Sequence, residues 1–169
     1  ALQYRNPALM GTEYEPGPVI ALQSVAMECA TVHLQQYDEE FTPYVQQFTH
    51  HVWTLVALPE SRRPACDDLI ISAMEFLGSI GRSMHHGLLT EQLLLLSEHA
   101  IVPNIQLRDD VEVEMFEQEP QQYIERDIEG SDVHTRRRAA CELVRALMQR
   151  FEAQVSPILQ GYANQMLSG

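Results

Sequence analysis

Apolar residues recur at helical spacing in six segments of the chain, and no useful stretch alternates with the period of a β-strand. The predicted helices span 18–37, 42–57, 64–85, 90–102, 133–151 and 155–167. The first and third helices begin about 47 residues apart, as do the second and fourth. A two-helix unit at this interval is typical of HEAT or armadillo repeats. The spacing therefore predicts an all-α fold, an α-solenoid of HEAT repeats built from antiparallel helix pairs, with a plain helical bundle as the alternative.

The repeat interval also predicts how much of a solenoid is present. The 169 residues hold about three repeats, so 1–169 is expected to be a single stretch. The chain begins without Met inside a segment rich in proline and glycine, and we interpret it as a piece of a longer polypeptide. Such a slice lacks capping repeats. We therefore expect exposed apolar surface at both ends, and association or instability of the isolated piece.

Proline, glycine and capping residues set the predicted helix boundaries. The sequence YDEEF at 37–41 is expected to separate the first two helices, with Thr42 as the cap of the second helix and Pro43 at its first position. Gly78 and Gly81 fall inside the third helix and are expected to bend or loosen it.

An acidic insert at about 104–132 separates the two helices of one predicted repeat, and Pro103 is expected to end the helix before it. From Arg108 to Asp132 the insert carries ten acidic residues and two arginines, a net charge of −8 out of −13 for the chain. A solvated acidic loop is the usual fate of such a run. Apolar residues are interleaved with these acids, however, and Pro120 is typical of the first turn of a short helix. We expect the insert to fold back and pack.

Three consecutive arginines, 136–138, follow the insert in the first turns of the fifth predicted helix, for which Ser131 or Asp132 is the expected cap. The helix dipole disfavours cations there, so a nearby anion is expected. We predict that at least one arginine pairs with Asp127, Glu129 or Asp132, and that others face the concave groove of the solenoid. The candidate partner-binding or hinge residues are Asp109, Asp110, Glu112, Glu114, Glu117, Arg126, Asp127, Glu129, Asp132, Arg136, Arg137 and Arg138.

Composition and motifs exclude several classes of function. A net charge of −13 argues against nucleic acid and anionic membranes as partners and favours a basic protein partner. No apolar run approaches the ~20 residues of a membrane span. The chain has no His-Glu-x-x-His, Cys-x-x-Cys, phosphate loop or nucleophile elbow. We therefore predict no catalytic, cofactor or metal site. The cysteines are odd in number and far apart, which favours a reducing compartment and buried thiols.

Several segments resemble a known family: NPALMGTEYEPGPVIALQS, IVPNI, YIERDIEGSDVHTRRRAACELVRAL and GYANQML. They are similar to the importin-α re-exporters, the exportin-2 family of the importin-β superfamily. The resemblance covers nearly the whole chain and is strongest from 99 to 167. Glu125 stands where the family commonly has a basic residue, and His134 where it commonly has an acid.

The resemblance implies a right-handed superhelix of HEAT repeats in a receptor that carries importin-α out of the nucleus together with Ran-GTP. It implies importin-α, Ran-GTP and nuclear pore proteins as partners, and shuttling between nucleus and cytoplasm. The first, third and fifth predicted helices would line the concave face, and the insert would act as a hinge or contact element. From the residues alone, a HEAT-type structural or regulatory scaffold without Ran dependence remains equally well supported.

Overall fold

The computed structural model describes residues 1–106, 109–127 and 134–168. Within these ranges the chain is helical, and its β-structure is confined to an isolated bridge between Gly11 and Pro16. The α-helices are α1 (Pro18–Gln36), α2 (Asp38–Val56), α3 (Asp67–Arg82), α4 (Leu93–Leu96), α5 (Val102–Ile105), α6 (Asp109–Gln118), α7 (Pro120–Asp127) and α8 (Arg136–Ser168). Short 3₁₀ segments occupy Pro7–Leu9, Pro59–Arg62, Pro64–Cys66 and Met84–Gln92.

The helices form two layers. Helices α1, α3 and α8 pack side by side in one layer, with α3 in the centre. The pairs Ser24–Ser72 and Gln35–Ser79 join α1 to α3 in order along both helices, so these two helices run parallel. Helix α2 and the helical run from Met84 to Ile105 pack behind this layer. This is the stacking that the repeat interval predicts for a solenoid.

Helix α3 supplies the centre of the hydrophobic core. Phe76, Leu77 and Ile80 are fully buried. The helix is unbroken through Gly78 and Gly81, where we expected a bend or loosening. Both glycines face α8, and the nearest side chains there belong to Ala146 and Leu147. A Cβ at either glycine would meet its nearest neighbours at 3.5 Å or more, so the packing of α3 against α8 does not require glycine at these two positions.

Helix α2 begins four residues earlier than predicted. The backbone leaves the helical region at Tyr37 alone (φ −135°, ψ 49°), and α2 starts at Asp38. Acidic residues fill the first turn, where the helix dipole favours them. Pro43 therefore lies inside the helix and does not start it. The missing N–H of Pro43 leaves the carbonyl of Glu39 without its intrahelical donor, and Glu39 is exposed, so water can bind that carbonyl.

The prediction that Pro103 ends the fourth helix is wrong, because the chain stays helical to the end of α5. A π-helical turn at Ser97–Ile101 precedes Pro103. The wider turn relieves the clash between the proline ring and the preceding turn, and the ring has no N–H to pair. The side-chain amide of Asn104 donates to the carbonyl of Ala100 at 2.7 Å, so that carbonyl does not stay without a donor.

The last two predicted helices are the two arms of α8. Their junction is Phe151, whose backbone is not helical (φ −125°, ψ 25°) and whose side chain is buried. The second arm follows directly after Phe151, a few residues before the predicted start at 155, and Pro157 lies within it.

Apolar side chains are exposed on the first and last helices, as expected. On α1, Leu22, Val25 and Val32 lie on one side and are about half exposed. At the end of α8, Met166 is 55% and Leu167 87% exposed. The core accordingly lies between α1 and α8, around α3.

Candidate functional site at the insert and the arginine joint

The insert contains two helices in its described part. Helix α7 begins at Pro120, which confirms the predicted short helix, whereas helix α6 was not predicted. Glu119 separates α6 from α7. The rings of Phe116 and Tyr123 meet edge to face with centroids 5.5 Å apart, and this contact joins the two helices. Aromatic pairs of this geometry add stability beyond their buried area.

The insert keeps apolar side chains at its surface. Val113, Phe116 and Ile124 are each about half exposed. The most extensive contacts of α6 among the described residues are with α7, so the packing observed there is of the insert on itself. Glu117 is exposed on α6. The insert therefore presents apolar and acidic groups together.

Most of the predicted site residues of the insert have side chains outside the described part of the chain. Glu129 and Asp132 lie outside the described residues. The side chains of the following residues also lie outside the described part, although their backbones belong to α6 and α7: Asp109, Asp110, Glu112, Glu114, Arg126 and Asp127. A role for these residues stays a prediction.

The helix after the insert starts at Arg136, and Thr135 caps it. The hydroxyl of Thr135 accepts a hydrogen bond from the backbone N–H of Arg138 at 3.2 Å, which satisfies a donor that the helix leaves open. The predicted caps, Ser131 and Asp132, are wrong because the helix begins after them. The three arginines consequently occupy the first turn of α8.

Arg136 is the buried residue of this triplet, with 7% of its surface exposed. Its Nε donates to Oδ1 of Asp67 at 2.8 Å. Its Nη1 donates to Oδ1 of Asn104 at 3.3 Å. Its Nη2 donates to the backbone carbonyls of Ser61 and Arg63, each at 2.8 Å. One guanidinium thus joins the start of α8, the end of α5, the start of α3 and the loop before α3.

These contacts explain how a cation is accommodated at a helix N-terminus. Asp67 supplies the opposite charge, and the carbonyls and the Asn104 amide occupy the remaining donors, so the guanidinium is not left unsatisfied when it is buried. The anion that the sequence requires for Arg136 is therefore Asp67, a residue of α3. Pairing of the arginines with acids of the insert stays a prediction.

Arg137 ties the two ends of the insert together. Its Nε donates to the carbonyl of Ile105, the last residue of α5, at 3.2 Å. That carbonyl lies in the final turn of its helix, where no intrahelical donor is available. Arg138, the third arginine, is exposed. Ile105 lies at the start of the insert and Arg137 follows its end, so this contact closes the base of the insert.

The sequence carried a signal for the Arg136 site that our prediction missed. Arg136 precedes Ala140 by four residues and Leu143 by seven, which places it on the buried stripe of α8. A charged residue on such a stripe needs a buried partner. The carboxylate of Asp67 and the amide of Asn104 were the missed partners, and no local spacing connects them to Arg136.

Cys66 lies beside this site and is buried, with its Sγ donating to the carbonyl of Glu60 at 3.5 Å. Burial raises the pKa of the Cys66 thiol, and the positive charges of Arg63 and Arg136 oppose that rise. The prediction of buried thiols holds for Cys66 but is wrong for Cys29, which is exposed on α1. Cys29 belongs to the outward side of that helix, and this explains its exposure.

In the described part of the chain, His85 and His134 each lie beside one acid. Nε2 of His85 lies 2.9 Å from Oδ1 of Asp38, and Nδ1 of His134 lies 3.6 Å from Oε1 of Glu75. Within 1–106, 109–127 and 134–168, no group of three or more His, Cys, Asp or Glu side chains could hold a metal ion. Across the same described ranges, no helix has the length and apolar character needed to cross a membrane.

Comparisons with known proteins agree with this arrangement. The family model described as Cse1 matches residues 1–169. Exportin-2 of Oreochromis niloticus is 42% identical over 159 residues, which cover 92% of this chain and 16% of that protein. Exportin-2 of Homo sapiens is 40% identical over 158 residues, with the same two coverages of 92% and 16%. The chain thus spans 16% of the length of these curated relatives.

A solved structure described as the exportin Cse1 in its cargo-free, cytoplasmic state superposes with a TM-score of 0.89 and 30% identity. The superposition covers 99% of this chain and 19% of that chain. This likeness confirms the predicted α-solenoid of HEAT repeats. With the family model matching the full chain and relatives at about 40% identity, the chain belongs to the Cse1 (exportin-2) family.

Proposed function

We propose that this chain is a segment of a nuclear export receptor that carries importin-α out of the nucleus together with Ran-GTP. The observation that carries the proposal is the identity of about 40% with exportin-2 over 92% of the chain. The proposal includes nuclear pore proteins as further partners and shuttling between nucleus and cytoplasm. The receptor acts by binding and not by catalysis, in keeping with the resemblance of the sequence to transport receptors.

The segment contributes about three HEAT repeats, with the insert joining the two helices of one repeat. The succession of α1, α3 and α8 in one layer supports this division, because each would be the second helix of its repeat. These helices would line the concave face. Arg138, exposed in the first turn of α8, would then point toward the partner side of the solenoid.

The insert acts as a hinge or contact element for a basic partner. Its net charge of −8 supports this role, as do the half-exposed Val113, Phe116 and Ile124. Acidic groups would attract a basic surface, and apolar groups would strengthen the contact once water is excluded. A partner that binds one arrangement of the solenoid more tightly shifts the population toward it.

The test replaces residues 108–130 of the full-length protein by a Gly/Ser linker. Binding of importin-α and of Ran-GTP is measured, and the compactness of the free protein is compared by small-angle scattering. We expect weaker binding and altered compactness. A matched variant changes Glu117, Glu119 and Glu125 to Gln, which keeps the insert in place and removes only charge.

Unchanged affinity, cooperativity and compactness in both variants would contradict the role of the insert. The wider proposal has its own discriminating measurement, because a scaffold without Ran dependence would bind Ran loaded with GTP no better than Ran loaded with GDP. A clear preference for Ran-GTP supports the export receptor.

A further inference from the structure

Loops that precede the parallel helices meet at one edge of the solenoid. The loop at 11–17 precedes α1, and the loop at 57–66 precedes α3. Two contacts join them: Nη1 of Arg63 donates to the carbonyl of Thr12 at 3.3 Å, and the backbone N–H of Ala65 donates to the carbonyl of Glu13 at 3.0 Å. The first two loops are therefore bonded directly.

Arg136 extends this line of contacts from the loop at 57–66 to Asn104, at the start of the insert. Its Nη2 binds the carbonyls of Ser61 and Arg63, while Nη1 reaches Asn104 at the start of the insert. The backbone of 61–65 is consequently held from both sides, by the loop at 11–17 on one side and by Arg136 on the other. The contacts run without interruption from Thr12 to the base of the insert.

The loop at 11–17, which supplies acceptors to Arg63 and Ala65, is a tight turn. Gly11 has a φ of +84°, which favours glycine. The N–H of Thr12 donates to the carbonyl of Glu15 at 2.9 Å, and the N–H of Glu15 donates to the hydroxyl of Thr12 at 3.0 Å. A Cβ on Gly17 would lie 2.3 Å from the backbone nitrogen of Gly11. The carbonyls of Thr12 and Glu13 thus belong to a closely packed turn.

We propose that Arg63 and Arg136 form a continuous seam along this edge, which holds α1, α3 and the first arm of α8 as one rigid body. Bending at this edge would separate Arg136 from its acceptors and leave a buried charge without partners. Arginine suits a seam because its planar fork binds several acceptors in fixed directions. The insert then acts by contact from a fixed base and not by bending of its own joint, and this last clause rests on the proposed function.

At the opposite edge of the layer formed by α1, α3 and α8, other residues join the helix ends. There Tyr37 connects α1 to α2, and the pair of His85 and Asp38 links the start of α2 to the segment after α3. The acids of the two pairs are equally exposed, with 34% of the side-chain surface for Asp38 and for Asp67, whereas His85 keeps 15% and Arg136 7%. Opening of the seam edge would remove four acceptors from one buried guanidinium. The stronger resistance to bending is therefore assigned to the seam edge.

Hydrogen exchange of the full-length protein tests the seam, with Arg136→Met as the main variant. Met keeps the unbranched apolar stem of the side chain but has no donor for the carbonyls of Ser61 and Arg63. We expect the amide of Ala65, which bonds Glu13 and does not touch Arg136, to exchange roughly tenfold faster because the seam opens locally. Arg145→Met is the matched control: it lies on the same helix, pairs with Glu142 at the surface and should leave Ala65 unchanged.

An unchanged exchange rate at Ala65 in Arg136→Met overturns the seam. If Arg136→Met unfolds the segment, recognised by fast exchange throughout α3, a second variant decides the question. Arg63→Ala removes a partly exposed contact and leaves the core intact. Faster exchange at Ala65 supports the seam, and an unchanged exchange rate contradicts it. No export partner is present in the experiment, so its outcome is independent of the proposed receptor function.

Discussion

Nε of Arg136 donates a hydrogen bond to Oδ1 of Asp67 at 2.8 Å, across 69 positions of the sequence. Asp67 is the first residue of α3 and Arg136 the first of α8, so two helix N-termini meet at this contact. Each N-terminus carries positive partial charge. The carboxylate of Asp67 offsets both helix ends and the guanidinium together, and this makes the pair central to the packing of α3 against α8.

Removal of Arg136 is expected to be strongly destabilising. Arg136→Met should lower the free energy of unfolding of this segment by about 1–3 kcal/mol, because the carbonyls of Ser61 and Arg63 lose their charged donor and Asp67 loses its counter-charge. Arg145→Met, at an exposed pair on the same helix, should cost only ~0–1 kcal/mol. Urea unfolding of the full-length protein, followed by hydrogen exchange in α3 and α8, measures both. Equal effects of the two substitutions would contradict the assignment.

Gly17 is expected to tolerate no side chain. In Gly17→Ala the new Cβ would lie 2.3 Å from the carbonyl oxygen of Leu9 and from the nitrogen of Gly11, both of them backbone atoms. The turn at 11–17 must shift, and we expect a loss of about 1–3 kcal/mol. Thermal unfolding and exchange at the amide of residue 17, which bonds Met10, measure the change. Stability equal to the wild type would show that the turn is softer than its contacts indicate.

Gly81, in contrast to Gly17, is expected to tolerate replacement by alanine. A Cβ at this position would meet Cδ2 of Leu147 at 3.5 Å, an ordinary van der Waals distance. Because alanine favours a helix over glycine by up to ~1 kcal/mol, Gly81→Ala is expected to be neutral or stabilising by about 0.5–1 kcal/mol. Gly81→Leu overfills the same contact and should destabilise by about 1–3 kcal/mol. Urea unfolding of both variants checks the order, and destabilisation by alanine would contradict it.

Cys66 should react slowly with thiol reagents and Cys29 quickly. Burial raises the pKa of Cys66 above its ordinary value of 9.0 and shields it, whereas Cys29 is exposed. At about pH 8 we expect alkylation of Cys29 to be at least roughly tenfold faster, because the thiolate is the reactive form. Peptide mapping by mass spectrometry gives both rates in one sample. Similar rates would mean that the 59–66 segment opens readily.

The raised pKa of the Cys66 thiol makes the stability of the folded state depend on pH in the alkaline range. Because the folded pKa of Cys66 is raised, the folded state holds this proton more tightly than the unfolded state. Its contribution is fully present below pH 9.0 and is lost as pH rises through the higher folded pKa. Cys66→Ser should remove that alkaline loss, and titration of stability from neutral to alkaline pH tests it.

The sequence predicted which segments are helical, but several helix boundaries differ between the prediction and the structure. Apolar residues at helical spacing located the helices because burial of one face is a local pattern. On α1, however, Leu22, Val25 and Val32 have this spacing and form the exposed side of the helix. Pro43 and Pro103 were assigned as a start and a stop from local rules. In the fold, the acidic first turn stabilises a start of α2 before Pro43, and the π-turn before Pro103 accommodates that proline within a helical run. Those compensations depend on the surrounding packing.

The candidate site was recovered only in part. The arginine triplet and its need for an anion were visible in the sequence because they are consecutive and lie at a helix start. The partner of Arg136 lies on another helix, far upstream, and no spacing rule brings Asp67 or Asn104 to it. Proximity along the chain favoured the acids of the insert, whereas the observed contact follows from the side-by-side packing of α3 and α8.

The π-turn at Ser97–Ile101 also limits which insertions and deletions this part of the chain can tolerate. One residue advances an α-helix by about 100°, so an extra residue in a turn rotates everything after it by that amount. The rotation after Ile101 directs Asn104 toward Arg136. A deletion of one residue within Ser97–Ile101 would restore a plain α-helix and turn Asn104 away, even though every contacting residue survived. The hydrogen bond between Arg136 and Asn104 therefore depends on the number of residues in Ser97–Ile101, although no residue of that turn makes the bond.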